Sequence, residues 1–100
     1  MDPAEQLQRL YLAGFEIETF VRYPKTVGVV KNGCIALLLP TPDGMQIMGT
    51  PGWRMGEVMG LLVELNGRQV FQFKDDLVEA TPERLETYQS FEQELRLLLK

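Results

Sequence analysis

The pattern of apolar and polar residues predicts a chain of strands with one helix at each end. Residues 34–39, Cys-Ile-Ala-Leu-Leu-Leu, form the longest uncharged apolar run, and turn signals stand on both sides of it. Six residues is strand length rather than helix length. Because the run does not alternate with polar residues, both faces of this strand are expected to be covered. The rest of the chain is expected to supply that cover.

The two helices are predicted from their start signals. Asp2, followed by proline, is an N-cap signal that predicts a helix over residues 3–13, ended by Gly14. Thr81, also followed by proline, predicts a second helix over residues 82–99. The apolar residues of the second helix recur at steps of three and four and form a core-facing stripe: Leu85, Tyr88, Phe91, Leu95 and Leu98.

Two strands and a tight hairpin are predicted directly after the first helix. Residues 15–23 alternate, which is the strand pattern, and residues 26–31 follow with three valines. The Asn-Gly pair at residues 32–33 favours a two-residue type I′ turn, which would pair Lys31 with Cys34.

Four further strands complete a meander. A bulged three-residue turn ending at Gly44 is expected after the apolar run. Residues 49–56, rich in glycine, are expected to be the only long irregular stretch. The strands predicted after the first hairpin are residues 34–39, 45–48, 57–65 and 68–74.

The last hairpin has two possible registers. A two-residue turn would pair Val63 with Val70 and would place the large apolar residues of the two strands on opposite faces. A bulged turn with Gly67 at positive φ would pair Leu61 with Phe71 and gather them on one face. Since burial should decide the register, the bulged turn is predicted.

This order of elements predicts an α+β fold. The expected architecture is a two-layer sandwich, in which a six-stranded antiparallel meander carries the N- and C-terminal helices on one face, as a single domain over residues 1–100. The strand residues expected to face the helices are Ile35, Leu37, Leu39, Ile47, Leu61, Val63, Phe71 and Phe73. The other face would then be apolar and uncovered, which predicts an interface between two copies of the chain. The candidate interface residues are Val27, Val29, Ala36, Leu38, Met48, Leu62 and Val70.

Composition narrows the classes of function. The 100 residues carry a net charge of −4, one cysteine and no histidine. The absence of a basic stripe argues against nucleic acid and anionic membranes as partners. The single Cys34 suits a reducing, cytoplasmic compartment. Without histidine the commonest general base and metal ligand are missing, so no catalytic residue, cofactor or metal is predicted.

A few residues nevertheless have chemical potential. Glu16 and Glu18 share one strand face, where paired carboxylates can bind a hard cation or simply face solvent. Asp75, Asp76 and Glu79 allow the same two interpretations. Cys34 is interpreted as a small buried apolar residue.

Residues 49–56 also have two interpretations. In the first, they form a crossover loop whose Trp53 closes the end of the core. In the second, Trp53, Arg54 and Met55 form a partner-binding loop, because tryptophan and arginine are enriched at interface hot spots and methionine adapts to varied partners.

Two resemblances rest on the order and character of the elements. The order helix, six strands, helix is similar to the frataxin architecture, with Asp2, Glu5, Glu16 and Glu18 in place of the acidic ridge of that family. This resemblance implies a metal-binding carrier. The small size, acidic balance and leucine-rich last helix resemble secretion chaperones, which implies a dimeric adaptor.

The function expected from the sequence is a non-catalytic, cytoplasmic protein-interaction domain that pairs with itself or with another protein. The alternatives are a carrier of a metal or a small apolar ligand, bound at the open face or at Glu16 and Glu18, and an adaptor that resembles secretion chaperones. Neither nucleic acid nor a membrane is expected as a partner.

Overall fold

The computed structural model describes residues 2–100, which form an α+β fold of two helices and an antiparallel eight-stranded sheet curled into a half-barrel. The α+β class and the terminal helices are confirmed, but the sheet has two more strands than predicted and forms a half-barrel instead of one layer of a two-layer sandwich. The helices are α1 (Pro3–Leu12) and α2 (Pro82–Leu98). The strands are β1 (Glu16–Glu18), β2 (Val27–Lys31), β3 (Cys34–Thr41), β4 (Gly44–Ile47), β5 (Gly52–Met55), β6 (Val58–Leu65), β7 (Arg68–Phe73) and β8 (Asp76–Glu79).

Strand β3 joins the two halves of the sheet. The strand order is β1-β2-β3-β5-β6-β7-β8, and β4 also pairs with β3. The β3–β5 ladder consists of two residue pairs, Cys34 with Trp53 and Ile35 with Gly52. The far end of β3 pairs with β4 instead. The curled sheet is therefore held together at its middle by a short ladder.

Both helices begin at the predicted N-caps. The Asp2 carboxylate accepts a hydrogen bond from the backbone N–H of Ala4 at 3.0 Å. The Thr81 hydroxyl accepts one from the backbone N–H of Arg84 at 3.2 Å. These bonds satisfy amide groups that have no partner inside the helix, which is why the sequence signal for the start of each helix was reliable.

The helices cover one face of the sheet, called here the inner face. Val29, Ala36 and Leu38 are fully buried there, in one cluster with Phe91 and Leu95 of α2. The prediction that Ile35 and Leu37 face the helices while Ala36 and Leu38 face outward is therefore wrong. A strand that is apolar at every position contains no alternation from which its faces can be assigned.

The opposite, outer face is covered over part of its area by the segment that follows β1. Residues 19–26 leave the sheet after β1, although the alternation of residues 15–23 predicted a longer strand. Phe20 of this segment is buried against Ile35 and Leu37. Both faces of β3 are therefore covered as predicted, one by helices and the other by an irregular segment.

The first hairpin is as predicted. Asn32 and Gly33 have φ of 53° and 85°, and Lys31 pairs with Cys34. Positive φ at both turn residues is the type I′ geometry. The β3–β4 turn differs from the prediction, because Thr41 pairs with Gly44 and the turn has two residues rather than three.

The predicted bulged register of the last hairpin is wrong. Val63 lies opposite Val70, which is the register of a two-residue turn. Asn66 and Gly67 have φ of 51° and 78°, so they form the same kind of turn as the first Asn-Gly pair. Local turn chemistry decided this register, since the two-residue turn leaves Leu61 and Leu65 exposed on the outer face and burial did not gather them with Phe71.

Strand β5 lies within the stretch that was expected to be irregular. A Cβ on Gly52 would collide with the backbone carbonyl oxygen of Gly60 on β6, so β5 can approach β6 only because position 52 is glycine. Trp53, the next residue, stacks on Phe71 of β7 with ring centroids 5.2 Å apart. The glycine content that suggested a loop thus reflects close packing between strands.

A buried glutamine ties three elements together. Gln6 of α1 is 2% exposed. Its Oε1 accepts a hydrogen bond from the backbone N–H of Met45 at 2.7 Å, and its Nε2 donates to the backbone carbonyl of Leu99 at 3.0 Å. One side chain therefore fastens the outer edge of β4 and the end of α2 to α1.

Candidate functional site

One exposed apolar surface spans several strands: the outer face of the last three strands, called here the hairpin face. Leu61, Leu65 and Leu77 are 43%, 38% and 52% exposed. Because side chains alternate along a strand and paired residues share a face, the registers place these leucines on one side, together with Val63 and Val70. Phe71 of β7 points the other way, where it stacks on Trp53 and makes an edge-to-face contact with Tyr88.

The hairpin face begins where the segment of residues 19–26 no longer covers the outer face of the sheet. Strand β6 places Met59, Leu61, Val63 and Leu65 in one row along the outer face. Met59 packs against the cluster around Phe20. Leu61, Val63 and Leu65 belong to neither buried cluster of the described residues, and exposure rises at Leu61. The hairpin face is thus an apolar continuation of a covered surface.

The hairpin face carries one positive and one negative charge. Arg68 and Glu79 both point to this side, since Arg68 lies opposite Leu65 and Glu79 lies opposite Val70. The Arg68 Nη2 and Glu79 Oε1 atoms are 3.4 Å apart, and both side chains are well exposed. An exposed pair of this kind contributes little to stability. The pair matters here because it leaves the hairpin face without net charge.

The free edge of β8 is partly closed by α2. Ala80 N–H donates to the Gln69 carbonyl at 3.0 Å, so in the alternating antiparallel ladder the backbone groups of Leu77 and Glu79 point away from β7. Arg84 Nη1 donates to the Glu79 carbonyl at 2.8 Å. The short edge strand therefore offers few open backbone groups, and the hairpin face is the larger candidate surface.

The structure places most of the predicted interface residues elsewhere. Val29, Ala36 and Leu38 lie in the helix-covered core, and Val27 is partly buried against the same cluster, so the expectation that they form an uncovered face is wrong. Leu62 is half-buried on the inner face. Met48 is exposed. Only Val70 belongs to the hairpin face, where it is 5% exposed.

The predicted partner loop is strand β5. Trp53 contributes to the core, in agreement with the structural interpretation of that stretch. Arg54 points to the outer face and forms two hydrogen bonds with the carboxylate of Glu18, one of them between Nη2 and Oε1 at 2.9 Å. The hydrogen bond to Glu18 raises the pKa of Arg54 above its ordinary value. Met55 is half-buried.

The groups with chemical potential are not brought together. Among residues 2–100, no group of three or more His, Cys, Asp or Glu side chains is placed to hold a metal ion. The Glu18 carboxylate forms an ion pair with Arg54. The Cys34 thiol is fully buried, and burial raises its pKa from 9.0 to about 12. A thiol with this pKa stays protonated at neutral pH and is a poor nucleophile.

An open groove of about 390 Å³ lies between α2 and the β2–β3 turn. Its polar side chains include Lys31, Glu83 and Glu94. Lys31 Nζ donates to Glu94 Oε1 and to the Ala13 carbonyl, both at 2.8 Å. Because its ammonium group is held in this way, Lys31 ties the first hairpin to both helices and acts as a structural residue.

The hairpin face could have been predicted from the sequence with the two-residue register of the last hairpin, which was considered but not chosen. Four apolar residues at alternate positions of β6, ended by Asn-Gly, place that row on the side opposite Phe71.

Neither described helix is long and apolar enough to span a membrane. No known protein family, curated protein or solved structure matches this chain.

Proposed function

We propose that this chain is a non-catalytic, cytoplasmic protein-interaction domain whose docking surface is the hairpin face. The observation that carries the proposal is the group of exposed leucines on one side of the sheet, Leu61 and Leu65 of β6 and Leu77 of β8, with Val70 of β7 between the two strands. Scattered exposed leucines are common on soluble proteins, but a contiguous apolar patch indicates a binding surface.

The size of the hairpin face fits a small or transient interface. Three strands about 4.8 Å apart, paired over four to six residues at about 3.4 Å each, outline roughly 200–300 Å². The largest apolar patch on an ordinary monomer is about 300–600 Å² and is often functional, so the hairpin face, which also holds Arg68, Gln72 and Glu79, lies at the lower end of that range. A standard interface takes about 800 Å² from each partner, so we expect the rim of the face to contribute as well.

The non-catalytic part of the proposal rests on the state of the reactive groups. The Cys34 thiol is buried and its pKa is raised, and Lys31 and Arg54 are each held by a carboxylate. The cytoplasmic part rests on the single reduced cysteine, which needs no oxidising compartment.

Site-specific photo-crosslinking in the native host tests this proposal. A photoreactive phenylalanine analogue at position 65, on the hairpin face, is compared with the same analogue at position 89, an exposed glutamine on α2. We expect a discrete crosslinked species from position 65 and none from position 89. Equal, diffuse labelling from both positions would refute a docking role for the hairpin face.

A further inference from the structure

The occupant of the hairpin face can be inferred from its charges. An interface with two-fold symmetry brings the same patch of both copies together, so a patch of a single sign would repel itself. The hairpin face carries one cation, Arg68, and one anion, Glu79, on an otherwise uncharged surface. It is therefore electrically neutral and can be complementary to itself.

The exposed side of α2 is less suited to self-association. It carries the exposed Glu83 and Glu86, whereas the half-buried Glu92 is paired with Arg96. Two-fold pairing through that surface would bring like charges together in a chain whose net charge is already −4.

We propose that a second copy of this chain occupies the hairpin face, as a weak two-fold dimer in which the leucine rows pack together. This inference rests on the proposed docking function and names its partner. Two sheet faces that pack in this way interdigitate their side chains, which would bury Leu61, Leu65 and Leu77 of each copy. Arg68 and Glu79 would stay at the rim, where they set the sign of the patch.

Complementary charge variants test this dimer. Arg68→Glu leaves two acidic residues on the hairpin face, and Glu79→Arg leaves two basic residues. Both positions are well exposed, so either variant should fold. In sedimentation velocity from about 10 μM to about 1 mM, we expect the wild type to dimerise with rising concentration. Each variant alone should associate at least about tenfold more weakly.

Mixing the two variants gives the decisive result. An acidic patch and a basic patch attract each other, so the equimolar mixture should form a heterodimer within about threefold of the wild-type affinity. A wild type that stays monomeric to about 1 mM, or variants that associate as well as the wild type and gain nothing on mixing, would overturn the inference. Loss of association in Leu77→Lys would support it.

The outcomes separate this inference from the proposed function. A crosslinked species of twice the chain mass from position 65 supports both. A discrete species with a different protein leaves the docking function intact and overturns the second copy as occupant. Absence of any discrete species refutes both.

Discussion

Replacing Gln6 with methionine should destabilise the protein strongly, although the two side chains have similar shapes. The substitution removes the acceptor for the Met45 N–H and the donor for the Leu99 carbonyl. A buried group left without a partner costs about 1–3 kcal/mol. The Met45 amide lies in a fully buried bond, whereas the Leu99 carbonyl is partly accessible to water and should cost less.

The expected loss in the free energy of unfolding is therefore about 2–4 kcal/mol, since the change in packing volume is small. For a domain of this size it corresponds to a fall in Tm of about 10–30 °C. Urea denaturation measures the loss, at one fixed protein concentration because self-association would also change stability. The m-value should stay unchanged, as expected when the native and denatured states keep their compactness.

Gln8→Met is the matched control, because Gln8 lies on the exposed side of the same helix. It should change stability by no more than about 0.5 kcal/mol, the range of ordinary surface substitutions. If Gln6→Met falls within that same range, the Met45 amide must have found water or another acceptor. The bridge between α1, β4 and α2 would then have no energetic role.

Three further results are expected. Leu38→Ala should lower the free energy of unfolding, measured by urea denaturation, by about 2–5 kcal/mol, because Leu38 is 0% exposed in the core. Leu61→Ala should lower it by under about 1 kcal/mol, because Leu61 is partly exposed. Equal losses in the two variants would contradict the assignment of faces. Gly52→Ala should abolish or severely weaken folding by circular dichroism, because the new Cβ meets the Gly60 backbone, and a native-like Tm would show that β5 can move aside. Burial raises the pKa of the Cys34 thiol from 9.0 to about 12, so the unfolded chain loses this proton at a lower pH than the folded chain. The free energy of unfolding should therefore fall as pH rises from 9 towards 12. Cys34→Ala should remove this part of the pH dependence.

Features encoded by a few neighbouring residues could be predicted from the sequence. The N-caps at Asp2 and Thr81 and the turn at Asn32-Gly33 depend on local backbone chemistry, and all three are present. The apolar stripe of α2 was also correct, with Phe91 and Leu95 buried. In these places the local preference and the tertiary structure agree.

The features that were missed depend on contacts between distant residues. The faces of β3 could not be assigned because both are buried, and this inverted the predicted core and interface. The register at Asn66-Gly67 was predicted from burial, whereas turn chemistry decided it. The buried bridge of Gln6 has no signal in the sequence, since its partners lie 39 and 93 residues away.

The two-pair ladder between β3 and β5 divides the molecule into two units of unequal cohesion. One unit is the first hairpin with both helices, and the other is the sheet from β6 to β8, which joins the first through the β5–β6 ladder and through the contacts of Phe71 with Trp53 and Tyr88. Regions with few buried contacts open before the whole chain unfolds. Amide protons of β6–β8 should therefore exchange with solvent through partial opening, faster than those of β2 and β3. A protein docked on the outer side of β6–β8 would slow that exchange, because binding would stabilise these strands against local opening.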